Sequence, residues 1–313
     1  MSIEFSHKPV MLFECIDGLN IKNDGTYCDL TTGGAGHSFE IVSRLSENGK
    51  HICFDRDIDA INAAKARLER FGDRVVFVHD NFKNVGARLD LLGISGVDGV
   101  LVDLGCSSYQ LDNAERGFSY NSDAPLDMRM NREDSLTAYE VVNDYSFAEL
   151  KKILFDYGEE KFAPKIADAI CKYRENKKIE STGELCEIIK NAIPPKAREK
   201  GHHPAKRSFQ AIRIEVNGEL DAIRPALESA VEKLKSGGRL AVISFHSLED
   251  RIVKQTFADL AKGCTCPPDF PVCVCGNKPK IKLVNRHPIL PSETELEENP
   301  RSRSAKLRIV EKV

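Results

Sequence analysis

The chain has 313 residues, of which 41% are hydrophobic and 30% are charged, and its net charge is −3. This composition is typical of a soluble protein long enough for one large α/β domain and a smaller second one, and the charge excludes a globally basic nucleic-acid binder. Because no apolar run reaches membrane-spanning length and no basic-then-apolar leader begins the chain, we expect a cytoplasmic protein without a membrane partner.

Strand-like and helical runs alternate through the first third of the chain. In order, the pattern predicts strand 26–30, helix 37–47, strand 51–55, helix 58–71, strand 75–79 and strand 99–103. This rhythm is typical of an α/β fold built on a doubly wound parallel sheet.

A glycine-rich turn, Gly33-Gly34-Ala35-Gly36, joins the first strand to the first of these helices. About 20 residues later the second strand ends in Asp55, the offset at which an acid binds a ribose diol. The spacing matches neither a dinucleotide fingerprint nor a phosphate-binding P-loop, and Asp29 before the turn would repel phosphate. The turn therefore favours a cationic nucleoside cofactor, S-adenosylmethionine, over the alternative that its glycines serve backbone geometry alone.

The carboxyl ends of parallel strands meet at one edge of a doubly wound sheet, so the residues there should line one crevice. For a methyl donor, the turn at Gly34 and Gly36 would admit the methionine part, Asp55 the ribose and Phe82 the adenine. Asp103, after the fourth strand, would lie nearest the methyl group. The alternative for Phe82 is a place in the core.

Residues 103–110 form the predicted catalytic centre. Asp103 or a backbone carbonyl can accept a proton from an aromatic amine as the amine attacks the methyl group, with Ser107 and Ser108 beside it. The alternative is that Asp103 is an acid of the turn and that the two serines cap the following helix. His246, after the predicted strand 239–244, is a further candidate that would contact the substrate or a neighbouring carboxylate.

Residues 106–213 interrupt the strand–helix alternation. This stretch reads as loops and helices, at 137–144, 146–157, 159–176, 181–192 and 206–216. The alternation then resumes with helix 218–235, strand 239–244, helix 248–261 and two late strand-like runs, 280–285 and 305–310, that predict an antiparallel hairpin at the sheet edge. We therefore predict a discontinuous cofactor domain, residues 1–105 and 214–313, and an inserted all-helical domain for substrate recognition, residues 106–213.

Two segments of the insertion carry candidate RNA contacts. A long loop combines aromatic rings with guanidinium groups, which suits an unstacked base: Arg116, Phe118, Tyr120 and Arg129. The densest basic run supplies candidate phosphate contacts: Lys196, Arg198, Lys206 and Arg207. The alternatives are an ordered lid without base contacts and a solvated charged face.

Four of the ten cysteines are clustered near the end of the chain, as two C-x-C pairs. They are Cys264, Cys266, Cys273 and Cys275. Four thiolates can complete a tetrahedral zinc shell, although C-x-C is tighter than the usual C-x₂-C spacing. Structural zinc is the leading interpretation, and thiols that stay reduced or oxidise reversibly are the alternative.

Long motifs along nearly the whole chain are similar to those of the bacterial 16S ribosomal RNA (cytosine-N4) methyltransferases of the MraW/RsmH type. These motifs include 32–38 (TGGAGHS), 103–112 (DLGCSSYQLD), 115–119 (ERGFS), 125–130 (PLDMRM), 209–214 (FQAIRI), 243–251 (ISFHSLEDR) and 299–304 (NPRSRS). The chain therefore resembles that family. Ala35 departs from the glycine that the family commonly carries there.

The resemblance implies a class I methyltransferase sheet and methyl transfer from S-adenosylmethionine to N4 of a cytidine in 16S rRNA near the decoding centre, within the small ribosomal subunit. It also implies cofactor contacts at Ala35, Gly36, His37, Asp55, Phe82, Asp103 and Gln110. The alternatives are a noncatalytic ribosome-assembly factor, a nicotinamide oxidoreductase, and a methyltransferase for DNA or small molecules. The general base, the state of the RNA substrate and homodimer formation are left open.

Overall fold

The computed structural model describes residues 8–198, 203–264, 266, 272 and 274–313. The chain divides into two compact units, Met1–Gly105 with Leu220–Val313, and Cys106–Glu219. The sequence pattern places the return to the first domain at residue 214, whereas the first unit resumes at Leu220. The reason is that Ile212 and Val216 pack into the hydrophobic core of the second unit.

A seven-stranded sheet runs through the first unit, in the order β3-β2-β1-β4-β5-β7-β6. Its strands are β1 (Thr26–Asp29), β2 (Lys50–Asp55), β3 (Val75–His79), β4 (Val97–Asp103), β5 (Leu234–Ser244), β6 (Ile281–Leu283) and β7 (Lys306–Lys312). β1 to β5 are parallel, and β7 is antiparallel to both β5 and β6. The predicted doubly wound sheet and its terminal hairpin are confirmed, and the strand order reverses between β1 and β4.

The α-helices of the described residues follow the predicted order, with additions. They are α1 (Leu12–Leu19), α2 (Gly36–Ser43), α3 (Ile58–Leu68), α4 (Val85–Leu91), α5 (Ser108–Asp112), α6 (Ala138–Asp144), α7 (Phe147–Asp156), α8 (Ala163–Arg174), α9 (Thr182–Ala192), α10 (Lys206–Asn217), α11 (Glu219–Lys233), α12 (Ser247–Ala261) and α13 (Glu293–Glu298). In the described part of the chain, no helix combines the length and apolar character that a membrane span requires.

Both faces of the sheet are buried. Successive strand residues point to opposite sides, and on β4 the residues of each side lie in a hydrophobic core. On β4, Val100 and Val102 pack in the core shared with α4, α11 and α12. Leu101, between them, points to the opposite face of the sheet and packs there against α1. This three-layer arrangement holds the carboxyl ends of β1, β2, β3 and β4 rigidly at one edge of the sheet.

The second unit packs α6 to α10 around its own hydrophobic core. Its helices begin at side-chain caps: Thr137 and Ser146 each form a capping box with the glutamate three residues later, and Ser181 accepts from the Glu184 N–H. The predicted helix 159–176 begins only at Ala163, because Glu159 adopts a left-handed backbone with φ of 47°.

Candidate cofactor and catalytic site

The turn after β1 has a tightly wound backbone. Gly33 and Ala35 both lie in the left-handed region, with φ of 49° and 57°, and α2 begins directly after them at Gly36. A side chain at Gly36 would collide with the ring of Pro9. Ala35 provides no side-chain cap, so the first N–H groups of α2 are offered to a ligand at the sheet edge.

Asp29 holds this turn together from inside. Its carboxylate accepts from Ser38 Oγ at 2.7 Å and from the Thr31 N–H at 3.2 Å, and the residue is only 1% exposed. Burial raises the pKa of Asp29 to about 6. The sequence pattern predicts that Asp29 repels phosphate and suits a positively charged cofactor. In the structure its carboxylate is bonded within the turn, so it acts on the site through its charge.

Asp55, at the end of β2, connects β2 to the same turn. Its Oδ2 accepts from the Gly33 N–H at 2.8 Å and its Oδ1 from the Asp57 N–H at 2.9 Å. Each carboxylate oxygen has two lone pairs, so acceptor capacity remains for the hydroxyls of a ribose. Burial raises the pKa of Asp55 to about 6.

Asp103 lies where β4 ends, on the far side of the reversal point from β2. Its backbone N–H donates to Thr31 Oγ1 at 2.6 Å, which joins the ends of β1 and β4. Its Oδ1 is buried and has no hydrogen-bond partner among the described residues. The pKa of Asp103 is raised well above its usual range, first by burial and then by the charges of Asp29 and Glu249.

Glu249, in the first turn of α12, is the site residue that the sequence patterns miss. It is 1% exposed, and its Oε2 accepts from the Phe245 N–H at 2.7 Å and the His246 N–H at 3.2 Å. His246 caps α12, and its Nε2 lies 3.0 Å from Glu249 Oε1 without the alignment of a hydrogen bond. The neighbouring carboxylate expected for His246 is therefore Glu249, and its spacing as third residue after a cap was the available signal.

Asp29, Asp103 and Glu249 together form a buried acidic group at the reversal point of the sheet. Each of the two charged groups that act on the carboxyl of Asp103 is an acid. Buried charge of one sign is costly unless an opposite charge compensates it. The acidic group therefore suits a cationic ligand and disfavours a diphosphate.

His37 and Phe82 have structural contacts of their own. His37 is 6% exposed, and its Nε2 donates to the Val10 carbonyl at 3.0 Å. Burial lowers the pKa of His37 to about 4, so the ring is neutral. Because the ring donates to Val10, the predicted contact of His37 with the cofactor would be made by its backbone. Phe82 is half-buried against the core beside α4, so it keeps one exposed part at the sheet edge.

The remaining predicted residues of the catalytic motif belong to the second unit. Ser107 is the N-cap of α5: its Oγ accepts from the Gln110 N–H at 3.2 Å, and the Gln110 Oε1 accepts from the Ser107 N–H at 3.0 Å. The capping alternative therefore describes Ser107, and Gln110 is 4% exposed within the cap. Ser108 is the first residue of the same helix.

Three residues of the predicted base-binding loop are structural within the second unit. Arg116 is 1% exposed and donates to the carbonyls of Arg129 and Met130, and Phe118 is 5% exposed. Arg129 forms a two-point pair with Asp127 and donates to the carbonyls of Arg132 and Asp134. The exposure that stacking on a base requires is absent at Arg116 and Phe118, because these side chains hold the loop itself.

The other candidate RNA residues differ in how accessible they are. Lys196 and Lys206 are exposed, whereas Arg207 is half-buried. Arg198 donates to the carbonyls of Lys190 and Ile193 at the end of α9. Tyr120 is half-buried and stacks on His203, with ring centroids 4.6 Å apart. The exposed lysines are thus the best-placed phosphate contacts of the set.

Three of the four clustered cysteines come together in the first unit. The Sγ atoms of Cys264, Cys266 and Cys275 all lie within 4.8 Å of one another, close enough to share a metal ion. Cys273, the fourth predicted ligand, lies outside the described residues.

The raised pKa of Asp55 predicts how cofactor binding depends on pH. Only the ionised carboxylate accepts from both ribose hydroxyls, and it is formed as the pH rises through about 6. The affinity for S-adenosylhomocysteine should therefore increase by about tenfold from pH 5 to pH 7.5 and then level off. Isothermal titration calorimetry across this range checks the prediction, and a flat profile would contradict it.

Comparison with protein families gives a match over nearly the whole chain. The profile of the MraW methylase family matches residues 4–313. A protein of Clostridium botulinum (strain Kyoto / Type A2) named ribosomal RNA small subunit methyltransferase H is 58% identical over 311 residues, which cover 99% of this chain and 100% of that protein. A protein of Clostridioides difficile (strain 630) with the same name is 56% identical, with the same coverage.

Among solved structures, an rRNA methylase from Streptococcus thermophilus aligns with a TM-score of 0.44 and 11% identity over 99% of each chain.

Proposed function

The chain belongs to the MraW methylase family, and on this premise we propose that it transfers a methyl group from S-adenosylmethionine to the RNA of the small ribosomal subunit. The finer assignment within this proposal is the exocyclic N4 of a cytidine near the decoding centre of 16S rRNA. The relatives that carry the name ribosomal RNA small subunit methyltransferase H support the RNA class.

The observation that carries the proposal is the carboxylate of Asp103. A buried acceptor atom without a partner is costly in a folded protein, and such atoms are concentrated at functional sites. Asp103 Oδ1 is one, at the strand-order reversal where α/β sheets bind ligands. Its acidic neighbours favour a positively charged molecule there.

The first unit offers a suitable contact for each part of S-adenosylmethionine. The turn at Gly33–Gly36 leaves bare backbone for the methionine part, Asp55 would accept from the ribose hydroxyls, and Phe82 would lie against the adenine. The negative charge of the acidic group would compensate the positive charges of the sulfonium and the amino group. The same acids argue against a nicotinamide dinucleotide, because its diphosphate is an anion.

When bound, S-adenosylmethionine supplies an electrophilic methyl group on a sulfonium. The N4 nitrogen of cytosine is a weak nucleophile because its lone pair is delocalised into the ring. Asp103 would accept an N–H hydrogen bond from that amino group and take its proton as the N–C bond forms and the C–S bond breaks, with the electron pair passing to sulfur. Burial and the charges of Asp29 and Glu249 raise the pKa of Asp103, which makes its carboxylate a stronger proton acceptor than an ordinary aspartate.

The second unit is the proposed substrate-recognition domain. Exposed Lys196 and Lys206 would contact RNA phosphates, and Arg207 and Tyr120 would extend that surface. Arg116 and Phe118 are left out of it because they are buried. The cofactor domain is the first unit, and homodimer formation is not required by any step of the proposal.

The test is a methyl-transfer assay with purified protein, labelled S-adenosylmethionine and small ribosomal subunits from cells that lack the modification. We expect label in the 16S rRNA, at N4 of one cytidine when the nucleotide is mapped by mass spectrometry. Naked 16S rRNA in a parallel reaction distinguishes the two forms of the substrate. Label in protein alone, or in another RNA, would contradict the proposal.

A further inference from the structure

Three thiols converge in the segment that joins α12 to β6, away from the buried acidic group. The Sγ atoms of Cys264, Cys266 and Cys275 lie within 4.8 Å of one another, and those of Cys264 and Cys275 are 3.7 Å apart. Thiolates on a tetrahedral zinc ion at Zn–S distances of 2.3 Å are about 3.8 Å apart. The spacing of these sulfurs is thus close to that of a metal shell.

The base of this segment is closed by bonds that do not involve the thiols. The Lys280 N–H donates to the Leu260 carbonyl at 2.8 Å, and Asn277 Nδ2 donates to the carbonyls of Gly263 at 2.8 Å and Lys262 at 3.1 Å. The end of α12 and the residues before β6 are therefore fixed side by side. This closure brings Cys264 and Cys275 to the same end of the segment.

Among the residues of this segment that the structure describes, no apolar core accounts for the convergence of the three sulfurs. Among the described residues of the segment, Val272 and Val274 are 70% and 72% exposed, and Cys264 and Cys275 are exposed as well. Ordering exposed residues costs conformational entropy. A cross-link between the three cysteines would offset that cost.

We propose that Cys264, Cys266 and Cys275 bind one Zn²⁺ ion as thiolates and that this ion holds the three cysteines together. Each thiol gives up its proton to solvent as its Zn–S bond forms. The Val274 N–H lies 3.4 Å from Cys266 Sγ and stabilises a negative sulfur there. The fourth position is taken by water or by another thiol of the chain.

A bound metal ion explains the convergence of the three sulfurs better than oxidation of two of the thiols to a disulfide does. A disulfide would use two of the sulfurs and leave no reason for the third to lie within 4.8 Å of both. Thiolate ligands also select zinc over the harder cations magnesium and calcium. The proposal does not depend on the methyl-transfer function, because the segment carries none of the proposed cofactor or RNA contacts.

The experiment measures metal content in full-length protein purified under reducing conditions without added metal. We expect about one zinc per chain by plasma mass spectrometry, and loss of most of it in Cys264→Ser and Cys275→Ser. The matched control is Cys171→Ser, a half-buried cysteine of the second unit, which should keep its zinc.

A second measurement uses the wild-type chain, so that a folding defect of the variants cannot obscure the result. After removal of the metal by a chelator, titration with Co²⁺ should give the absorption of thiolate-to-cobalt charge transfer, saturating at one ion per chain and displaced by Zn²⁺. Limited proteolysis should cut residues 264–277 at least tenfold faster without metal than with it.

Several outcomes would overturn the zinc proposal. These are a wild-type protein without zinc and without the cobalt absorption, iron or copper in place of zinc, and zinc content unchanged by the two serine variants. A disulfide between Cys264 and Cys275 in the freshly reduced preparation would overturn it as well and would establish redox chemistry instead.

Discussion

Replacing Asp103 by asparagine is expected to lower the rate of methyl transfer to ribosomal RNA by about a hundredfold or more. The amide keeps the size of the side chain but cannot take the proton from the attacking amine. It also removes one negative charge from the buried acidic group. Single-turnover assays with saturating S-adenosylmethionine and unmodified small subunits measure this effect.

The stability of this variant should distinguish loss of chemistry from loss of fold. Because burial of an ionised Asp103 is unfavourable, Asp103→Asn should melt at the same temperature as the wild type or higher. RNA affinity should be unchanged. Asp90→Asn, the same change at an exposed acid of α4 that pairs with Lys233, is the matched control and should be fully active. Full methyl-transfer activity in Asp103→Asn would show that Asp103 does not take the proton of the attacking amine.

Replacing Asp55 by asparagine is expected to weaken the binding of S-adenosylmethionine by about 10- to 100-fold, the range for loss of hydrogen bonds to a charged acceptor. The variant lacks the negative charge that would accept from the ribose hydroxyls. Its amide NH₂ also cannot accept from the N–H of Gly33 or Asp57, so one of these two hydrogen bonds is lost. The expected defect is therefore in KM for the cofactor, with kcat nearly unchanged at saturation.

Calorimetry and steady-state kinetics on the same preparation check this separation of effects. Asp73→Asn, an exposed acid between α3 and β3, is the matched control. The variants of Asp55 and Asp103 should fail in different parameters, since one residue is assigned to cofactor binding and the other to proton removal. Normal cofactor affinity in the Asp55 variant would show that Asp55 does not bind the ribose.

The sheet and the positions of its strand ends were predictable from local patterns. Alternating strand and helix runs specify a parallel sheet, and its carboxyl edge follows from connection geometry. Asp55 and Asp103 could thus be assigned to one edge before any coordinates. The sequence patterns do not predict α1, because it is short and the residue before it, Met11, has a left-handed backbone and provides no side-chain cap that would signal a helix start.

The parts that sequence reasoning could not supply depend on burial and on competition for hydrogen bonds. Arg116 has the residue type of an RNA contact, yet the fold surrounds it and two backbone carbonyls accept its guanidinium hydrogens. Ser107 sits in a catalytic motif, but the start of α5 takes its hydroxyl as a cap. Glu249 reads as an ordinary first-turn acid, and only tertiary packing buries it near Asp103.

The most direct test of the central claim is a crystal structure of the protein with S-adenosylhomocysteine. We expect the ribose hydroxyls to contact Asp55, the adenine to lie against Phe82, and the amino-acid part to lie beside the turn at Gly33–Gly36, with Asp103 at the end of the ligand that carries sulfur. A ligand bound elsewhere, or a diphosphate compound bound more tightly at this edge of the sheet, would contradict it.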